Sequence, residues 1–112
     1  MPVTASNNDR IRELNDRFRQ TGVGGTITMT RGVHDLADDL KRQILHKVRT
    51  FDAFDADNDP YGEHDFGSFE VGGEKVYWKI DYFDTALEAG SPDPSDPAVT
   101  SRVLTIMLSR EY

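Results

Sequence analysis

Two adjacent glycines, Gly72 and Gly73, separate two runs in which apolar and polar residues alternate, Phe66–Val71 and Glu74–Phe83. Alternation with a period of two is typical of β-strands that bury one face. The Gly-Gly pair tolerates the positive φ angles of a tight turn, so the chain is expected to form an antiparallel hairpin here. The residues expected to share its buried face are Phe69, Val71, Val76, Trp78 and Ile80.

Apolar residues at helical spacing predict two helices ahead of the hairpin, over 7–20 and over 35–51. In the second helix, acidic residues fall in the first turns and basic residues near the end, which is the order that favours the helix dipole. In the first helix, four arginines are interleaved with Glu13 and Asp16, so we expect all four to be salt-bridged and exposed. These arginines are Arg10, Arg12, Arg17 and Arg19.

Two further segments have the pattern of strands. Alternation and β-branched residues over 26–30 predict one strand, after which Arg31-Gly32 is expected to turn the chain. Residues 102–110 also alternate and are interpreted as a strand, although a helix over 98–110 remains the alternative. The predicted fold class is therefore α+β. It has an antiparallel sheet of about four strands with two helices packed on one face, in the order α-β-α-β-β-β.

Composition excludes several classes of protein. The 112 residues fit one domain, expected over 7–112 behind a flexible tail at 1–6. Without cysteine, the chain forms no disulfide framework, thiolate metal site or cysteine nucleophile. It shows no signal-peptide pattern and no apolar run of the roughly 20 residues needed to span a membrane. We therefore expect a cytoplasmic protein with no membrane partner.

The net charge of −7 is unevenly distributed along the chain. Residues 1–50 carry nine basic and six acidic side chains, whereas residues 51–112 carry four basic and fourteen acidic ones. Such a surface repels nucleic acid, so no direct nucleic-acid binding is expected, and it attracts a protein partner with a basic surface. A homodimer formed through exposed strand edges or through the sheet face of Tyr77 is a further hypothesis.

The densest acidic segment, 55–67, reads D-A-D-N-D-P-Y-G-E-H-D-F-G. Its D-x-D-x-D opening is that of a calcium loop, but Pro60 replaces the glycine of the sixth position and Phe66 the glutamate of the twelfth. An EF-hand is therefore excluded and no cofactor is predicted, although a divalent cation at a looser site remains an alternative. The candidate ligands of that site are Asp57, Asp59, Glu63 and Asp65.

His64 lies between two carboxylates, which are the neighbours that orient a general base. The catalytic candidates are His64, Asp65 and Asp81. No nucleophile elbow surrounds Ser68, and the alternative is that His64 and Asp65 hydrogen-bond the loop backbone and fix its path.

Candidate binding residues lie on the loop and on the second hairpin strand. Tyr61 follows Pro60 on a turn expected to be rigid, where it either anchors a partner or packs back on the domain. Tyr77 and Asp81 are expected to point away from the buried face and to present a second binding surface. The full candidate set is Tyr61, Glu63, His64, Tyr77, Trp78 and Asp81.

The stretch from 49–51 through 58–67, which ends in N-D-P-Y-G-E-H-D-F-G, resembles a family of small uncharacterised alphaproteobacterial proteins, the domain of unknown function 3768. The segments 78–82, 91–94 and 102–108 share the resemblance. The resemblance implies no activity. Its members look like accessory proteins of plasmids and integrated elements, often encoded near antirestriction-type genes.

Two functional hypotheses follow from the charge pattern and the resemblance. The first is an acidic, non-enzymatic accessory of a mobile element that engages a basic protein surface, such as that of a restriction or CRISPR nuclease. The alternative is a metal-dependent, hydrolase-type enzyme that uses the acidic loop around His64.

Overall fold

The computed structural model describes residues 7–112, and the tail expected at 1–6 lies outside the described residues. Residues 7–112 contain three α-helices, four strands and two 3-10 turns. The helices are α1 (Asn7–Thr21), α2 (Arg31–His34) and α3 (Asp38–Thr50). The strands are β1 (Thr26–Met29), β2 (Phe66–Val71), β3 (Glu74–Phe83) and β4 (Ser101–Leu108). The 3-10 turns are Pro97–Val99 and Ser109–Glu111.

The four strands form one mixed sheet in the order β1-β4-β3-β2. Strand β3 pairs antiparallel with both β2 and β4, whereas β1 runs parallel to β4. The predicted α+β class is confirmed, and the prediction of a purely antiparallel sheet is wrong at the β1–β4 pair. The reason is topological, because two helices and the whole hairpin separate β1 from β4 and give the long connection that a parallel pair needs.

The helices also differ from the prediction. The segment expected as one helix over 35–51 forms α3 only from Asp38, and the turn expected at Arg31-Gly32 is the separate short helix α2. There are thus three helices within 7–112 instead of two. The Glu111 carboxylate accepts from Thr30 Oγ1 at 2.6 Å and from the Gly32 amide at 2.9 Å, which stabilises the start of α2 from the far end of the chain. No helix in the described part of the chain is long and apolar enough to cross a membrane.

The hairpin and the last strand form where the sequence predicts them. Gly72 and Gly73 have φ angles of 57° and 80°, as the tight turn requires. The segment for which strand and helix were the alternatives forms strand β4, and Asp96 starts only a short 3-10 turn by accepting from the Ala98 amide at 2.9 Å.

The core lies between one face of the sheet and the helices. Trp78 is completely buried at its centre, with Phe18 of α1 and Ile44 of α3 packed in the same cluster. Gly67 faces Trp78, and a Cβ atom at this position would lie 2.5 Å from the indole nitrogen, so only glycine fits. The predicted buried face of the hairpin is confirmed, with Phe69 the partly buried member.

Candidate functional site

The backbone of the acidic loop, defined here as residues 52–65, is held in its turns by hydrogen bonds to carboxylates of the loop itself. Asp55 Oδ1 accepts from the amides of Asp57 and Asn58, both at 2.9 Å. Asp59 Oδ1 accepts from the amides of Glu63 and His64 at 3.0 and 3.1 Å. Asp55 and Asp59 therefore fix the backbone path by side-chain hydrogen bonds to backbone amides, the role that the sequence suggests for His64 and Asp65.

Helix α1 holds the second half of the acidic loop against the domain. Three side chains on one helix face, spaced four and three residues apart, donate to three successive carbonyl oxygens of the loop. The pairs are Asn8 with Tyr61 at 3.1 Å, Arg12 with Gly62 at 3.2 Å, and Asn15 with Glu63 at 3.0 Å. The loop is thus docked along the helix rather than projecting freely into solvent.

His64 is clamped between the helix and the loop. Its Nδ1 lies 2.8 Å from Asp16 Oδ1, and its Nε2 lies 3.6 Å from Asp59 Oδ2. The ring stacks on Phe54 with centroids 3.8 Å apart, and the residue has a φ angle of 55°. Both ring nitrogens face carboxylates of the protein itself. These contacts fix the orientation of the imidazole ring, and they link the acidic loop to α1 through Asp16.

Arg19 belongs to α1 and is only 2 % exposed. Its Nη1 donates to the carbonyl oxygens of Val48, Arg49 and Phe51 at 2.8, 3.3 and 3.0 Å, and its Nη2 donates to Asp16 at 3.1 Å. The guanidinium therefore caps the end of α3, where, within 7–112, only the Val48 carbonyl also accepts from a backbone amide, that of Phe51 at 3.5 Å. The prediction that all four arginines of the first helix are exposed is wrong for Arg19.

Asp16 joins Arg19 to His64, since one of its oxygens contacts both side chains. The Arg19 guanidinium also lies 5.4 Å from the centre of the Phe54 ring and 5.2 Å from that of Trp78. Cation–π contacts of this kind stabilise a buried arginine. A shallow cleft of about 280 Å³ opens above these groups. It is lined by Asp16, Arg19, Gln20, Phe51, Asp52, Phe54 and His64.

A buried polar network continues from the loop into the sheet. Asn15, which is fully buried, donates to the Tyr82 hydroxyl at 2.7 Å and accepts from Arg102 Nε at 2.9 Å. The Tyr82 hydroxyl in turn donates to Glu63 Oε1 at 2.8 Å, and Arg102 also donates to the Pro94 carbonyl. Burial raises the pKa of Tyr82, so its hydroxyl keeps the proton that it donates to Glu63. One helix side chain thus connects the loop, β3 and β4.

Sequence patterns did not reveal Asn15, Asp16, Arg19 or Arg102 as members of this site. The i, i+3 spacing of Asp16 and Arg19 was the one available signal, and it is equally typical of an exposed ion pair. Whether such a pair lies at the surface or in the core depends on what packs against the helix.

Asp65 is half-buried, and desolvation raises the pKa of its carboxyl group above the ordinary value. The nearby charges of Glu63, Asp59 and Asp81 raise it further. A raised pKa means that the folded state binds the proton more tightly than the unfolded state. The ionised Asp65 therefore opposes folding at neutral pH.

Replacing Asp65 with asparagine is expected to raise the Tm at pH 7 by a few degrees, because asparagine carries no charge at this half-buried position. The difference from the wild-type protein should shrink as the pH falls through the raised pKa, and it should vanish below the ordinary aspartate value of 3.8. Thermal unfolding of both proteins between about pH 7 and pH 3 measures this. A Tm difference that stays constant across the range would show that charge is not its cause.

The candidate binding residues lie in three different places. Tyr61 is 73 % exposed on the loop, so the interpretation that it packs back on the domain is wrong. Trp78 is in the core. Tyr77 lies on the opposite face of the sheet, with its ring centre 5.5 Å from that of Phe66 and 5.2 Å from that of Tyr112.

Asp81 lies on the Tyr77 face and pairs with Lys79 at 2.9 Å. The four candidate metal ligands include the exposed Asp57 and the nearly buried Asp59, whose Oδ1 is already bonded to backbone amides. Among residues 7–112, no group of three or more acidic or histidine side chains is arranged to hold a metal ion.

Comparison with known families gives one match, which covers residues 29–111 and is described as Protein of unknown function (DUF3768). The chain belongs to this family. The resemblance seen in the loop and strand segments is therefore confirmed, and the family itself carries no assigned activity. Helix α1, which supplies Asn15, Asp16 and Arg19, lies before the matched range. Comparisons with curated proteins and with solved structures found no significant match.

Proposed function

We propose that this family member is a non-enzymatic binding protein that engages a basic protein surface with the acidic loop and with a second acidic loop, residues 84–96. The observation that carries the proposal is the lack of charge compensation in these two loops. They contain seven carboxylates that form no ion pair with any residue of 7–112. The seven are Asp52, Asp55, Asp57, Asp84, Glu88, Asp93 and Asp96.

Both loops are ordered before any partner arrives. In four of the carboxylates, Oδ1 accepts a hydrogen bond from a backbone amide of the same loop or of the turn that follows it, which leaves Oδ2 for a partner. The bonds are Asp55 with Asp57 and Asn58 at 2.9 Å, Asp84 with Glu88 at 3.0 Å, Asp93 with Ser95 at 3.1 Å, and Asp96 with Ala98 at 2.9 Å. Ordered loops lose less conformational entropy on binding, which favours recognition by these surfaces.

The chemistry of the loops also favours binding over catalysis. His64, Asp59 and Glu63, which carry the groups suited to proton transfer, are engaged with Asp16, the loop backbone and Tyr82. The uncompensated carboxylates create a negative field that steers a basic partner towards the loops.

A nucleic-acid-binding protein is the partner class that fits this field. Its Lys and Arg side chains are arranged to neutralise closely spaced phosphates, and the carboxylates of the loops offer a similar run of negative charge. For an accessory protein of a mobile element, we propose a host-defence nuclease of the restriction or CRISPR type as that partner.

Capture from a bacterial lysate at low and high salt tests the proposal. We expect a basic protein to be retained at low salt and released at high salt, because exposed charge pairs are screened. The double variant D52N/D57N should bind it about tenfold more weakly, which is about 1.4 kcal/mol for two exposed pairs worth up to about 1 kcal/mol each.

The matched control is E13Q/E70Q, which removes two exposed charges outside both loops. It should bind like the wild-type protein. Equal losses in the two double variants would indicate a non-specific effect of net charge, and the absence of any salt-sensitive partner would refute the proposed function.

A further inference from the structure

Leu87 combines two unfavourable features at the tip of the second acidic loop. Its side chain is 60 % exposed, and its φ angle is 58°, in the left-handed region. The Cβ atom makes this backbone conformation costly for leucine, whereas glycine and asparagine adopt it readily. Leu87 belongs neither to the buried core nor to the partly buried hydrophobic residues packed against it.

The surrounding turn holds Leu87 in this conformation. The Leu87 amide donates to the Asp84 carbonyl at 3.0 Å, and the Asp84 amide donates to the Ala89 carbonyl at 2.9 Å. The Glu88 amide donates to Asp84 Oδ1 at 3.0 Å, and a bridge between Phe83 and Gly90 closes the base of the turn. The leucine side chain is therefore presented to solvent by a hydrogen-bonded turn that also carries Asp84 and Glu88.

We infer that Leu87 is the apolar anchor of the interface, and that it inserts into a small apolar pocket ringed by Lys or Arg side chains on the basic partner. This inference rests on the proposed function and specifies the shape of the surface that the partner presents. An apolar residue held in a strained conformation is typical of sites where the strain serves recognition. The carboxylates of Asp84 and Glu88 lie on the same turn and are complementary in charge to Lys or Arg side chains around such a pocket.

Val23 provides a matched control on the same molecule. It is 67 % exposed, but among residues 7–112 the non-glycine residues with positive φ are only His64 and Leu87. Its neighbours in sequence are Thr21, Gly22, Gly24 and Gly25, so it has no adjacent carboxylate. Val23 therefore has neither a positive φ angle nor a carboxylate among its neighbours in sequence.

Titration with two synthetic peptides of equal length, oligolysine and an alternating Lys-Leu peptide, tests the inference by NMR. We expect the wild-type protein to bind the alternating peptide about tenfold more tightly than oligolysine, with the largest shifts at the Leu87 methyl groups. The L87N variant should lose this tenfold preference and keep the wild-type affinity for oligolysine. V23N should behave as the wild-type protein does for both peptides.

The L87N variant is expected to be at least as stable as the wild-type protein, because asparagine suits the left-handed conformation, and thermal unfolding checks this. If the wild-type protein shows no preference between the peptides, or if L87N keeps the preference, the anchor role of Leu87 is refuted while binding of oligolysine still supports the proposed function. If neither peptide binds, both proposals are refuted.

Discussion

Replacing Arg19 with alanine is expected to lower the free energy of unfolding by about 3–5 kcal/mol, the usual cost of removing one member of a buried charged cluster. The change removes the hydrogen bonds that Arg19 donates to the Asp16 carboxylate and to three carbonyl oxygens at the end of α3. It also removes the guanidinium that packs on the Phe54 and Trp78 rings. Since a domain is typically stable by only about 5–15 kcal/mol, the loss should be a large fraction of the total.

Urea unfolding of the variant and of two comparison proteins measures this effect. Arg17→Ala is the matched control, because Arg17 is an exposed arginine of the same helix whose side chain has no hydrogen bond or ion pair within 7–112. It should change the free energy of unfolding by no more than about 0.5 kcal/mol. Arg19→Lys keeps the charge but lacks the planar fork, so it should fall between the two. A cost below about 1 kcal/mol for Arg19→Ala would contradict the capping role.

Replacing Asn15 with alanine should cost about 2–4 kcal/mol, because it removes a hydrogen bond from each of several buried polar groups at once. The groups affected are the Arg102 guanidinium, the Tyr82 hydroxyl and the Glu63 carbonyl. The Glu63 carbonyl belongs to the acidic loop, so the loop should also loosen. Hydrogen exchange at the Glu63 and His64 amides is expected to become faster than in the wild-type protein.

Asn8→Ala is the control for this second prediction. Asn8 also donates to a loop carbonyl, that of Tyr61 at 3.1 Å, but it does so at the exposed end of α1. Its loss should cost about 0.5–1 kcal/mol at most and should leave exchange at Glu63 unchanged. If the two asparagine variants were equally destabilised, the buried network would not be the source of the stability assigned to Asn15.

These two predictions concern a helix that precedes the range matched by the family. Within the structure, α1 supplies the donors that fix the acidic loop and the carboxylate that orients His64. The geometry of the loop in this chain is therefore a property of α1 and the matched range together. A fragment that begins at Met29 would lack these contacts.

Local patterns were sufficient for the hairpin and for most of α3, and they favoured a strand at β4 without excluding its helical alternative. A period of two, a period near 3.6 and a Gly-Gly turn are encoded in residues that are neighbours along the chain. The uneven distribution of charge along the chain is likewise a property of the sequence alone. These features predict the α+β class and single out the acidic loop without reference to any tertiary contact.

Tertiary contacts decided the direction of β1, the start of α2 and the role of each polar residue near His64. Alternation in β1 does not specify which strand it pairs with, and the pattern of Asp16 and Arg19 does not specify their burial. The deciding bonds join residues far apart in sequence, from 29 positions for Arg19 and Val48 to 87 for Asn15 and Arg102. The spacing of apolar residues in a segment indicates only the secondary structure of that segment. The partner of a buried charge is therefore settled only when distant segments are packed together.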